Sequence, residues 1–465
     1  MRRIVVLAFS IFLTFSAKAQ HWDSLQGGLG NVPRVMYADT VDNFLYTGGV
    51  FIEVDNKPIR GIARWNGLQW DSLGAGIDPL SLGWPQNTLA ITRYNNEIYA
   101  GGAFHSAGSV WSAKIAKWDG THWDSLPIPP FSVNDLNGAI WSLEAINGNL
   151  YIGGMFDTVA GFPCKNIAKW DGVSWTSLNF PNLQYGISIN AITEYNGDIY
   201  VAGAFHNTIN DSVSNILKWN GVSWCSVGGG VKGGWTWIES MAVYNGELYV
   251  AGAFFQADGN ASDNIQKWNG TSWSNVGGGT GGGNGQIHKL LVYNGKLYAL
   301  GVFDYAGGVP ANYFASWDGI NWCSVGTTFD NILDAGCVYN DTLYVGGGFR
   351  KIDNDSTTRI AKWIGGNFVS ACGNTTGIND VESAQITIQL YPNPASDKIT
   401  IQFDGANTLG EISITDQFAR EVRREKLNGE QRLEISVADL AEGMYFFSLD
   451  QNGERESSGK FIVRR

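Results

Sequence analysis

The chain has 465 residues, enough for more than one core, with 31 basic against 43 acidic side chains and a net charge of −12. That balance argues against nucleic acid or an anionic lipid surface as a partner. Sixty glycines and 19 tryptophans at 16% charged residues describe a β-rich protein full of tight turns. Five scattered cysteines (164, 225, 323, 337 and 372) form no disulfide framework and read as mostly free, half-buried side chains.

In chain order, a basic start precedes the apolar stretch "IVVLAFSIFLTFSA" and a small-x-small "AKA" at 17–19. This pattern predicts a signal peptide over 1–19 and export to the periplasm. No later stretch is apolar for long enough to cross a bilayer as a helix.

From residue 20 a unit of about fifty residues repeats. Its phrase reads "IARWNGLQW" at 62–70, "IAKWDGTHW" at 115–123, "IAKWDGVSW" at 167–175, "ILKWNGVSW" at 216–224, "IQKWNGTSW" at 265–273, "FASWDGINW" at 314–322 and, worn, "IAKWIGGNF" at 360–368. About fifteen residues before each stands an apolar-small strand such as "LYTGGVF", "LYIGGMF" or "LYVAGAF". A period of this size predicts a propeller or solenoid. Each unit divides into four strands. An alternating run ends at an Asn-Gly hairpin, and the glycine-rich strand follows, its small residues allowing close backbone approach. A loop then leads to the third strand, and an Asp-Gly or Asn-Gly turn to the fourth. Four antiparallel strands per repeat predict seven blades of a β-propeller over 20–373. "LYVGG" followed by "KWDGVSW" resembles kelch-type propellers, although the aromatic spacing is tighter than is usual there. The opening "HWDSLQGGLG" is a fourth strand without a unit before it, and Trp22 lies 48 residues before Trp70, in period. It is expected to complete the worn last blade and so protect the sheet edges.

After Gly373 a polar linker spans 374–383. The remainder, 384–465, alternates apolar and polar residues in strand-turn rhythm and reads as a small immunoglobulin-like β-sandwich. "LYPNPASDKITI", "ISITDQFAREV", "ADLAEGMYFFSL" and the ending "GKFIVRR" resemble the C-terminal sorting domain of the type IX secretion system of Bacteroidota. Ala419 departs from that pattern, where the family usually has Gly. The resemblance implies the type IX machinery as a partner and a secreted or outer-membrane-surface location.

Fourteen tryptophans fall on the repeat and read as packing between blades. Trp84, Trp111, Trp141, Trp235 and Trp237 fall off it. They belong to the long loops, the connections or the starts of the first strands, should gather on one face or near the channel mouth, and are candidate platforms for sugar rings or a partner's apolar groups. The position after each "GAF"-like motif also varies: Ile52, His105, Asp157, His206, Phe255, Asp304, Arg350. Its polar members join the ligand-binding candidates. His105, Asp157 and His206 share one register in successive repeats, but rim residues of this kind are ordinarily solvated, so no metal or other cofactor is expected. GxSxG and HExxH are absent, and "DNDST" at 353–357 lacks the acidic residue that would complete a calcium loop. These features predict an exported, surface-located binding module for a glycan or protein rather than an enzyme. The alternatives are a polysaccharide-active enzyme on the propeller face and a purely structural or adhesion protein.

Overall fold

A computed structural model describes residues 22–364 except 26, 78–86, 113, 127–137, 160–161, 182, 207–213, 234–235, 258–259, 284 and 354, then 372. It resumes for 387–464 except 405–408, 417–419, 431 and 452–453. The expected signal peptide, Trp84, Trp235, the linker and Ala419 lie outside the described residues. Among the described residues the chain is all-β, and no helix is long and apolar enough to cross a membrane. It divides into two compact units, Met1–Thr375 and Thr376–Arg465.

The first unit holds seven four-stranded antiparallel sheets among its described residues, called blades here and numbered by their first strands. These first strands are Pro33–Asp39, Asn87–Tyr94, Ala139–Ile146, Gln184–Tyr195, Trp237–Tyr244, Gln286–Tyr293 and Leu333–Tyr339. Each lies against the next, and the seventh lies against the first, so the sheets form a closed, propeller-like ring around a channel. Local chemistry explains the repeat. In blade 5 the Asn245-Gly246 pair has φ of 49° and 75° and joins Tyr244 to Glu247 in register, a two-residue hairpin that needs both left-handed residues. The phrase's two tryptophans face each other across strands three and four, as Trp170 and Trp175 do at 4.8 Å between ring centroids. The second tryptophan also reaches the preceding blade: Trp273 Nε1 donates to Val227 O at 3.0 Å, and Trp322 Nε1 to Val276 O at 2.8 Å.

Blade 7 draws on both ends of the unit. Trp22–Ser24 pairs with Ile360–Trp363, Trp22 opposite Trp363. The Trp22 ring is buried edge-on against Phe314, Phe329 and Trp363, and its Nε1 donates to Thr327 Oγ1 at 3.2 Å. A disulfide joins Cys323, in the fourth strand of blade 6, to Cys372, which corrects the expectation for that pair. The pairing was hidden because Cys372 follows the worn phrase, where repeat register no longer says which strand lies beside it. Cys164, Cys225 and Cys337 are free.

The second unit has a three-stranded sheet (Thr387–Tyr391, Lys398–Asp404, Arg432–Ser436) and a four-stranded one (Leu409–Asp416, Glu421–Asn428, Gly443–Gln451, Glu454–Val463). One apolar cluster, including Ile399, Ile412, Ile435, Phe447 and Phe461, draws on both. The Pro-Asn-Pro segment docks on the last strand: Asn393 Oδ1 accepts from Ile462 N, and Ala395 N donates to Ile462 O.

Candidate functional site

Every blade carries the same irregularity in its innermost strand. The register with strand two slips by one residue, as between Ile140 and Ser142 or between Ile238 and Ser240. The seven extra residues are Arg34, Leu89, Trp141, Asn190, Glu239, His288 and Asp334, and all line one channel cavity of about 880 Å³. A bulge of this kind re-aims a side chain out of the ladder. The glycine that closes the strand-two motif makes room for it. A Cβ on Gly252 would sit 2.2 Å from Trp237 O, and one on Gly301 2.1 Å from Gln286 O. The position before it does not need glycine: it is Ala251 in blade 5 and Leu300 in blade 6.

The ring is chemically lopsided. Leu89 and Trp141 supply an apolar arc, and Trp141 is 42% exposed. Around the rest of the ring, blades 5, 6, 7 and 1 supply Glu239, His288, Asp334 and Arg34. Asp334 Oδ1 accepts from Arg34 Nη1 at 2.9 Å and lies 3.3 Å from His288 Nδ1. Its second oxygen is buried and meets no protein donor. Burial pushes the His288 pKa down, but the Asp334 hydrogen bond and the nearby Glu239 and Asp334 charges outweigh it, so the imidazole is net raised. Trp237 Nε1 donates to Glu239 Oε1 at 2.7 Å, which holds that carboxylate at the indole's edge. Asn190 Nδ2 donates to Ile238 O at 3.0 Å, tying blade 4 to blade 5.

Further along the first strands, Glu144 and Lys289 line the same cavity. The Glu144 side chain is open to the channel, yet the blades around it wall it in. The enclosure governs its acidity: lost solvation pushes its carboxyl up to about 7, against the lowering pull of Lys289.

The structure separates the residues singled out in the sequence. Trp141 and Trp237 line the channel. Trp111 is 54% exposed on the hairpin between strands two and three of blade 2, its ring 5.4 Å from that of His105. Burial, with the Lys114 charge, pushes the His105 pKa down. Asp157, Asp304 and Arg350 are exposed, and none of them lines the channel cavity. Their shared position serves the backbone instead. The carbonyls of His105, Asp157, Asp304 and Arg350 accept from Ser112, Cys164, Ala311 and Thr357 and so fold back the long loop. The His206 backbone pairs with Gln184 and Ser214, and its side chain lies outside the described residues. Sequence reasoning missed the other six ring residues, Glu144 and Lys289. Among the described residues, the cluster of metal-type ligands Asp318, Cys323 and Cys372 contains the disulfide, whose sulfurs are already bonded to each other.

Residues 389–464 match the family model of the secretion system C-terminal sorting domain. No curated protein matches the chain. Among solved structures it is similar to the extracellular domain of a putative one component system from B. thetaiotaomicron, at 12% identity and a TM-score of 0.45. That match covers 96% of this chain and 58% of the other, so the chain spans little over half of that relative's length. A Niastella koreensis GH74 enzyme is similar at 13% identity and a TM-score of 0.41, covering 94% of this chain and 74% of that one. An exo-β-1,3-galactanase from Phanerochaete chrysosporium, solved with galactose, is similar at 9% identity and a TM-score of 0.25, covering 81% and 95%. The expectation that this chain is not an enzyme is corrected here. Glycoside hydrolases stand among its structural relatives, so the exclusion is dropped, while likeness at these TM-scores assigns no activity. The matched tail implies handling by the type IX secretion machinery and delivery outside the cell or to its surface.

Proposed function

We propose that this is an exported surface protein whose channel mouth takes a carbohydrate. In this reading residues 20–373 form a seven-bladed, kelch-like propeller, and 384–465 an immunoglobulin-like sorting domain after the linker 374–383. One observation carries the proposal: Trp141 and Trp237 line one cavity with Glu239, His288, Asp334 and Arg34. Indole faces pack the apolar faces of a sugar ring, and a cluster of fixed donors and acceptors suits its hydroxyls. Titrating the full chain with a glycan panel, followed by tryptophan fluorescence, tests this. A saturable change that weakens about tenfold or more in Trp141→Ala supports it, tenfold being about 1.4 kcal/mol. No change with any glycan removes it.

A hydrolytic version of the same site is favoured by Glu144. A carboxyl raised to about 7 lines the same channel as Glu239 and Asp334, and a carboxyl partly protonated near neutral pH suits proton donation to a leaving oxygen. New reducing ends that vanish in Glu144→Gln would decide for catalysis, and saturable binding without products for a binding module.

A further inference from the structure

The innermost strands repeat, so departures from the repeat are informative. The residue after each bulge is small or uncharged in six blades: Val35, Ala90, Ser142, Ala191, Ser240 and Ala335. In blade 6 it is Lys289. Three residues past the bulge, none of the counterparts of Glu144, from Tyr37 to Cys337, is Asp, Glu, Lys, Arg or His. A framework position has no need of a lone charge, and both exceptions line the same cavity.

Lys289 is half-buried, and among the described residues no carboxylate comes within ion-pairing distance of its ammonium. Keeping such a charge in a walled space is costly unless something pairs with it. Its neighbours add positive charge. His288 adjoins it in sequence, and Arg34 is 44% exposed, with Nη1 donating to Asp334 and the rest of its planar fork free to engage a second anion. These cations sit in a chain of net charge −12, whose general field repels anions. The wall also carries Glu239 and Asp334, but Asp334 is already paired with Arg34 and His288, so Lys289 and the open side of Arg34 are the cations left facing the indole platform, as an acidic sugar requires. Glu144 opposes this less than an ordinary carboxylate would, because its carboxyl is pushed up to about 7 and in its protonated fraction offers an O–H to a carboxylate or hydroxyl.

We propose that the carbohydrate taken in the channel is an acidic one, a hexuronate unit whose ring packs on Trp141 and whose carboxylate pairs with Lys289, aided by Arg34. The inference rests on the carbohydrate reading above and narrows it. Tryptophan fluorescence or calorimetry on the full chain is compared for galacturonate and glucuronate oligosaccharides against galactose and glucose oligosaccharides of equal length. The expected result is uronate binding tighter by about tenfold or more. Lys289→Ala should erase that preference while leaving the neutral sugars' affinity in place, and Lys289→Arg should keep much of it. The preference should also shrink as salt is raised. Equal binding of acidic and neutral sugars, or a preference that survives Lys289→Ala, overturns the uronate proposal and leaves the carbohydrate site standing. Failure of every oligosaccharide to bind overturns both.

Discussion

Arg34 donates from Nη1 to Asp334 Oδ1 at 2.9 Å across a separation of 300 residues, and so joins the first blade to the last. Tyr339 adds a second link across the same seam, its hydroxyl donating to Asn43 O at 2.9 Å. His288 extends the first link to blade 6 through the same Asp334 oxygen. The three ring residues therefore serve ring closure as well as the channel wall.

Closure should depend on pH through His288. Its folded pKa is raised, so its contribution to stability is complete below the unfolded value of about 6.5 and is lost as pH rises through the folded value. Thermal melts of wild type and His288→Gln should therefore differ most near about pH 5.5 and converge toward about pH 8. A gap that widens with rising pH would contradict the assignment.

Gly252→Ala should be costly, because the new Cβ would lie 2.2 Å from Trp237 O and the backbone has to move. A loss of about 3 kcal/mol or more is expected in denaturant melts, with altered tryptophan emission from the shifted Trp237. Ala251→Gly, at the neighbouring position that tolerates side chains, should cost only about 1 kcal/mol.

Trp22→Ala removes a buried ring that packs on Phe314, Phe329 and Trp363. The expected loss is about 3–5 kcal/mol. Trp22→Phe should recover most of it and lack only the hydrogen bond to Thr327, about 1 kcal/mol. Equal melting of the two variants would mean that the first strand contributes little to blade 7.

Non-reducing peptide mapping should recover Cys323 linked to Cys372, with Cys164, Cys225 and Cys337 open to alkylation after unfolding. Cys372→Ala should lower stability by about 2–4 kcal/mol under oxidising conditions and have no effect in reductant.

Much of the propeller-like unit was legible because its turns and tryptophans recur. Asn245-Gly246 needs left-handed residues, and Trp170 needs Trp175 opposite it, so each repeat writes the same letters. Trp22 keeps the period even though its partner, Trp363, lies near the far end of the unit. The channel ring was harder to see. A bulge adds one residue at the same place in every repeat, so it leaves the period unchanged. Its signal was the variable letter between two framework residues, as in Ile140-Trp141-Ser142, Ile238-Glu239-Ser240 and Leu333-Asp334-Ala335. The same search for variability found the position of His105 and Asp157, which varies because it points away from the common core, beside a backbone that holds the loop. Lys289 and Glu144 become conspicuous only when the innermost strands are superposed.

The pairing of Trp22–Ser24 with Ile360–Trp363 also constrains how the fold is reached. A chain threaded into a new compartment amino end first would be an open fan with two raw strand edges until its final repeat arrived. Loop closure over such a span is slow, and raw edges recruit other strands in the meantime. In the mature ring a nick between blades 6 and 7 falls inside the loop closed by Cys323 and Cys372, so the cut ends stay joined, and such a nick should open the ring to that fan only once the disulfide is reduced.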